Sequence, residues 1–232
     1  MYILGIETST KTGSVAVVSE DGVVAQYSLN IEVTHSARLM AAVDRVLKDT
    51  GLAIADMGAY AVAIGPGSFT GLRIGLAAVK GLALVTGRPI AAVPTLQALA
   101  ANLPFAGHPV CPLLDARKSE VYAALYRCDG RAPAALMAEA VLSLSRLSER
   151  ITERTIFTGE ASRLFRPDIE KIFGERALFA PHSATLPSAA TIAELGLALV
   201  KSGRQADPDS LTPMYIRRPE AEVAWEKRMQ SR

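Results

Sequence analysis

Tyr60-Ala61-Val62-Ala63-Ile64 is an apolar run of strand length, and Gly65-Pro66-Gly67-Ser68-Phe69-Thr70-Gly71-Leu72-Arg73 follows it directly. The glycines and proline make a tight turn, and from about Thr70 to Val85 the apolar residues recur at helical spacing. Gly87-Arg88-Pro89 stops that helix. A short apolar strand feeding a helix through a glycine turn is a building unit of α/β folds.

The flanking sequence agrees. Ile3–Ile6 reads as a strand, Thr8-Ser9-Thr10-Lys11-Thr12-Gly13 as a polar turn and Ser14–Val18 as a second strand. Glu20-Asp21-Gly22 turns into a third strand, from Val23 to Leu29. Thr34 or Ser36 can cap a helix to Thr50, with Leu39, Val43, Val46 and Leu47 on one face and Gly51 just past its end. Pro89–Val93 reads as a strand, and Thr95 as the cap of a helix to Asn102. The plan then recurs. Cys111–Leu114, the turn Asp115–Ser119 and Glu120–Tyr126 form a second hairpin, and Thr155–Thr158 runs through Gly159 into a helix. A long helix spans about Ser188–Ser202, followed by a short charged tail with one apolar piece, Met214-Tyr215-Ile216. The sequence thus predicts an α/β protein of two related lobes: 1–104, 105–207 and a tail, 208–232, packing back on the first.

The chain of 232 residues is half hydrophobic and carries a net charge of +2, enough for a substantial core and no mandate for a nucleic-acid partner. The N-terminus lacks the basic region and cleavage site of a signal peptide, and no apolar run reaches membrane-span length, so a cytoplasmic protein is expected. Cys111 and Cys128 read as buried free thiols. His35, His108 and His182 are isolated, with no HxxxH or HExxH spacing, and there is no GxSxG elbow. No catalytic or metal-ligating set is legible, which points to binding or scaffolding.

Two segments carry a faint phosphate signal. Thr8, Ser9 and Thr10 offer hydroxyls at a strand turn, and Gly65 and Gly67 precede a helix N-terminus, where backbone N–H groups favour anions. Neither a Walker A loop nor GxGxxG is present, and structural turns explain both segments as well. The helix after the glycine turn has two apolar stripes, Leu72-Leu76-Val79-Ala83 and Ile74-Ala78-Leu82-Val85. A surface helix needs one. Gly71 and Gly75 leave room for another backbone.

The pieces ILGIETSTKTGSVAVV, IGPGSFTGLRIGLAAVKGLAL, VPTLQALA, LLDARKSEVYAALY and PMYIRRP, spread in this order over about residues 3–219, resemble the TsaB (YeaZ) family. The resemblance implies an actin-like, sugar-kinase-like ATPase fold with ribonuclease H-like lobes. In this fold the first hairpin turn lies near nucleotide phosphates. It implies a non-catalytic subunit that pairs with the catalytic TsaD, is joined by the ATPase TsaE, and serves transfer of a threonylcarbamoyl group to a tRNA adenosine, tRNA being met only through the complex. TsaD's paired histidines do not carry over, because Leu39 stands four residues after His35. No cofactor is expected on the isolated chain, and ATP or ADP only in the assembly. The implied partner surface comprises Arg38, Leu39, Ala42, Val43 and Val46 of one helix and Gly71, Leu72, Gly75, Leu76 and Val79 of the next, with weak homodimers through the same face. Alternatives from the family's older names and fold are a glycoprotease-like (M22) peptidase and a stand-alone kinase relative. Elemental analysis of the purified protein is expected to find well below one zinc or iron per chain; stoichiometric metal would contradict the reading of the histidines and cysteines.

Overall fold

A computed structural model describes residues 1–30, 35–130 and 132–217. The tail residues 218–232 and the proposed cap Thr34 lie outside the described residues. The first half runs β1 (Tyr2–Glu7), β2 (Thr12–Ser19), β3 (Gly22–Asn30), α1 (His35–Thr50), β4 (Met57–Gly65), α2 (Phe69–Thr86), β5 (Ile90–Pro94) and α3 (Thr95–Ala101). The second runs β6 (Val110–Asp115), β7 (Val121–Arg127), β8 (Ala134–Leu142), α4 (Leu144–Ser148), β9 (Thr155–Thr158), α5 (Glu160–Leu164), α6 (Arg166–Phe173), β10 (Ala177–Phe179) and α7 (Ala189–Lys201).

The two five-stranded sheets have one plan. Their orders are β3-β2-β1-β4-β5 and β8-β7-β6-β9-β10. In each, a three-strand antiparallel meander is extended by two parallel strands. Short turns suffice for the antiparallel pairs, whereas the parallel pairs β1–β4 and β4–β5 need the crossovers that α1 and α2 provide. The duplication read faintly from the sequence is thus the architecture. β8, α4 and β10 were not anticipated: β8 is a half-exposed edge strand without a clear apolar alternation, and α4 and β10 are too short to show a period.

Alternation along the first sheet builds two cores. On one face Leu4, Ile6, Val15, Val17, Tyr60 and Val62 meet Leu39, Val43 and Val46 of α1 and Leu76, Val79 and Ala83 of α2. On the other, Ile3, Ala59, Ala61, Ala63, Ala91 and Val93 meet Ile192 and Ala193 of α7. The alanines let α7 lie close. A Cβ on Gly5 would sit 2.3 Å from the Ala189 carbonyl oxygen, and one on Gly196 would sit 2.4 Å from Ala61 Cβ. α2 is long and apolar enough by length and composition to cross a membrane, but its Leu72-Leu76-Val79-Ala83 row is buried against the first lobe.

The closing helices are exchanged. α3 ends the first half, yet its Leu96, Leu99 and Ala100 pack on Val110, Leu114, Ala124 and Tyr126 of the second sheet. α7 ends the second half and covers the first sheet. Asn102 ties the crossing together: its side-chain amide donates to the Leu186 carbonyl (3.0 Å), and its side-chain oxygen accepts from the Thr191 hydroxyl (2.8 Å). This corrects the lobe limits. The second lobe does not extend to 207, because α7 belongs spatially to the first, and α3, though before 104, packs on both sheets, Ala98 on the first and Leu96, Leu99 and Ala100 on the second. Thr95 is also not a cap. It is the first helical residue, Pro94 holds the cap position, and the Thr95 hydroxyl is buried without a hydrogen-bond partner.

Two glycines should respond oppositely. Gly196→Val, forced against Ala61 and Ala91, is expected to lose about 1–3 kcal/mol in urea unfolding. Gly81→Ala, mid-helix on α2 with open space around it, should gain up to about 1 kcal/mol.

Candidate functional site

The β1–β2 turn and the β4–α2 glycine turn are locked together. The Gly65–Pro66 bond is cis. The Ser68 amide donates to the Ser9 carbonyl (2.6 Å) and the Thr8 hydroxyl to the Gly71 carbonyl (2.8 Å). A Cβ on Gly67 would lie 2.1 Å from the Ser9 carbonyl oxygen, and one on Gly71 would lie 1.9 Å from that of Thr8. Gly75 likewise faces the Thr8 hydroxyl at 2.4 Å. The close approach that Gly71 and Gly75 permit is therefore to the chain's own first turn, a correction to the expectation of a partner backbone there. The hydroxyls proposed for phosphate are engaged inside the lobe. Ser9 donates both its amide (2.7 Å) and its hydroxyl to the Glu7 carboxylate, and the Thr10 hydroxyl pairs with Thr12.

The second lobe repeats the device. A Cβ on Gly159, which caps α5 at φ 90°, would lie 2.2 Å from the Leu113 carbonyl oxygen. The turn after β6 is unusual: Arg117, Lys118 and Ser119 have φ of 65°, 55° and 57°. A left-handed turn costs L-residues energy and persists where surrounding contacts fix it. Here the Asp115 carboxylate accepts from the Arg117 amide (2.8 Å), and the Ala116 amide donates to the Glu120 carbonyl (3.0 Å).

Acids gather where the two sets of turns face each other. Glu7 is fully buried; one carboxylate oxygen takes the Ser9 bonds and the other has no partner. Burial lifts its pKa to about 7 against the opposing pull of the Ser9 bonds, and Glu160 across the cleft adds to the rise. Burial also raises Glu160, with Asp115 reinforcing and Lys11 and Arg117 opposing. The sequence places Glu7 at the head of the Thr8–Thr10 turn, as an acid ending an otherwise apolar strand, but gives no sign of its full burial. The Cys111 and Cys128 thiols are buried as expected, and desolvation raises both, Cys128 to about 11, far from a nucleophile's range. Among the described residues no group of three His, Cys, Asp or Glu is placed to hold a metal.

The helices named as partner surface divide sharply. Leu39, Val43, Val46, Leu72, Leu76 and Val79 lie in the chain's own core, each no more than 6% exposed. Arg38 is exposed and Ala42 half-buried. Ile74, Ala78 and Leu82 of the second stripe pack partly against the same core. The bare apolar row of α2 lies one position over: Ala77, Gly81 and Leu84, with Val85 beside them; Leu84 is 87% exposed. On α1 the exposed apolar residues are Met40 and Ala41.

A model of the family described as TsaD, tRNA N6-adenosine threonylcarbamoyltransferase, matches residues 22–225. The Bacillus subtilis tRNA threonylcarbamoyladenosine biosynthesis protein TsaB is 34% identical over 97% of this chain and 98% of its own. The chain belongs to this family, in its TsaB (YeaZ) branch. The Escherichia coli protein of the same name is 31% identical to this TsaB-family chain over 98% of each. The solved YeaZ from Pseudomonas aeruginosa superposes with a TM-score of 0.75 at 26% identity, over 92% of this chain and 100% of that one. The activator of the 2-hydroxyisocaproyl-CoA dehydratase from Clostridium difficile, with bound ADPNP, shares the fold alone: TM-score 0.50 and 11% identity over 92% and 99%. The TsaB-family chain has the actin-like, sugar-kinase-like ATPase fold expected of it.

Glu7 gives the first turn of this chain a pH dependence. Its folded pKa of about 7 lies above the ordinary value of 4.5, so the folded state holds the proton more tightly. That stability is complete below pH 4.5 and is lost as pH rises through about 7. At 1.36 kcal/mol per unit the loss is up to about 3 kcal/mol. Urea unfolding from pH 5 to 8 should show this decline, and Glu7→Gln should flatten it.

Proposed function

We infer that this chain is a non-catalytic subunit of the machinery that makes tRNA threonylcarbamoyladenosine. It docks on a TsaD-type catalytic subunit through the outer face of α1 and α2, and a TsaE-type ATPase joins the pair. The names of the Bacillus and Escherichia relatives, matched over nearly their full length, support the pathway. The observation that carries the docking reading is the bare row Ala77, Gly81 and Leu84 on α2. Exposed apolar rows of this kind mark interaction surfaces, and small residues let a partner helix lie close. Two helices supply the roughly 800 Å² per partner that a specific interface buries. Arg45–Asp49 and Lys48–Asp44 ion pairs along α1 give the row a polar margin. Without its partner the same face would pair weakly with a second copy about a two-fold axis. The hydroxyls of Thr8, Ser9 and Thr10 already have partners within the chain, which favours nucleotide contact only in the assembly, and tRNA is reached through the complex.

The test separates the two sides of α2. Leu84→Asp should remain folded by circular dichroism, lose TsaD in a pull-down and abolish modification in a reconstituted tRNA assay. Leu76→Asp, aimed into the core, should unfold. A folded Leu84→Asp protein that binds TsaD and supports modification normally would place the partner elsewhere. The chain alone should neither cleave protein substrates nor turn over ATP at about 1 per second, a low ordinary rate.

A further inference from the structure

After α7 the chain returns along the first lobe. The Ala206 amide donates to the Ile90 carbonyl (2.8 Å), and Leu211 enters the first core. Residues 213–217 then leave that lobe and cross to the other. The Met214 amide donates to the Ile64 carbonyl (2.7 Å) at the end of β4. The Tyr215 ring stacks on Phe69 at the start of α2, with centroids 5.1 Å apart. The Arg73 guanidinium lies over the Phe69 ring, 3.8 Å from its centroid, and donates to the Tyr215 hydroxyl (2.9 Å). Two residues on, the Arg217 guanidinium reaches the second lobe, donating to the Ala116 carbonyl and to the Glu120 carboxylate.

We propose that residues 213–217 form a strap that holds the two lobes closed over the cleft between their turns, with Arg217 as its releasable latch. The attachments differ in kind at the two ends. On the first lobe the strap is held by a backbone hydrogen bond, ring stacking and a cation over a ring, contacts that salt affects little. On the second it is held by one guanidinium, partly buried with its Glu120 partner at 25% and 38% exposure. A charge-assisted fork of this sort is strong and directional, yet open enough to be screened or outcompeted. Its target is the turn held by three successive left-handed residues, Arg117, Lys118 and Ser119. The turn is closed by its own hydrogen bonds between Ala116 and Glu120 and between Glu120 and Arg117, and the Arg217 anchor on Ala116 and Glu120 grips it at these same two residues. Unlatching therefore frees the second lobe to swing about the α3–α7 crossing and loosens the left-handed turn in the same event. The strap is anchored on the first turns of α2, at Phe69 and Arg73, and its latch lies on the second lobe, so the inference does not rest on the docking of a partner to Ala77, Gly81 and Leu84.

The experiment uses the full chain with spin labels on cysteines introduced by Asp21→Cys and Lys171→Cys, exposed sites on the two lobes; native Cys111 and Cys128 are buried and stay unlabelled. Arg217→Ala should widen the interlobe distance distribution, with circular dichroism unchanged. It should raise amide exchange across 115–120 by about tenfold, the scale of one charge-assisted hydrogen bond. Glu120→Gln, which keeps the Ala116 bond, should do the same to a smaller degree. Raising salt from ~0.1 M to ~1 M, which shortens the Debye length from about 10 Å to about 3 Å, should widen the native distribution more than that of Arg217→Ala. Should Arg217→Ala fail to fold, Glu120→Gln across the same salt range decides. Native-like distances and exchange in the folded variants would overturn the latch.

Discussion

The close seating of α7 on the alanine face of the first sheet is the contact on which the rest of the molecule depends. It requires Gly5, Ala61 and Ala91 beneath and Ala193 and Gly196 above, because any larger pair lifts the helix off the sheet. With α7 in place the first sheet is covered on both faces, since α1 and α2 cover the other. That second face in turn fixes α2, and α2 fixes the glycine turn against Thr8 and Ser9. The outward row of α2 is thus oriented by contacts that begin on the far side of the sheet.

The exchange of α3 and α7 gives the two lobes a shared structural element in place of a simple seam. α7 closes the first sheet from the other half, α3 packs on the second, and Asn102 at the end of α3 bonds to Leu186 and Thr191 around the start of α7. A joint made this way ties the two lobes together through buried side chains of both helices. At Glu7, a position facing the other lobe's acids is occupied by a buried acid whose second oxygen has no partner.

Much of this architecture was legible beforehand. Strand alternation in β1, β2, β6 and β7, the glycine turn and the 3.6-residue period of α1, α2 and α7 are local signals, and the family motifs add the fold. The helix exchange was not legible, because no local pattern tells an amphipathic helix which of two similar sheets it will cover. The residues expected at a partner surface lie mostly in the core for a related reason. A regular apolar stripe such as Leu72-Leu76-Val79 is the signature of a core, and the exposed row is built from Ala77, Gly81 and Leu84, which looks unremarkable in sequence. Both stripes face the chain's own core to different degrees, and the exposed row lies between them; finding it takes the sheet itself. The latch at Arg217 was seen only as one charge in a mixed tail, since its partners lie about a hundred positions earlier.

The exchanged helix also sets the order in which the protein can be completed during synthesis. When β5 leaves the ribosome the alanine face of the first sheet, Ala59, Ala61, Ala63 and Ala91, has no cover, and α7 is still about a hundred residues away. At about 5–20 residues per second that is an interval of roughly 5–20 s in which the five strands of the first sheet lack cover on their alanine face. Until α7 emerges, that face stays open to solvent. A chain cut short between Phe179 and Ala189 would carry both sheets and all their strands and still lack the helix that covers the first of them.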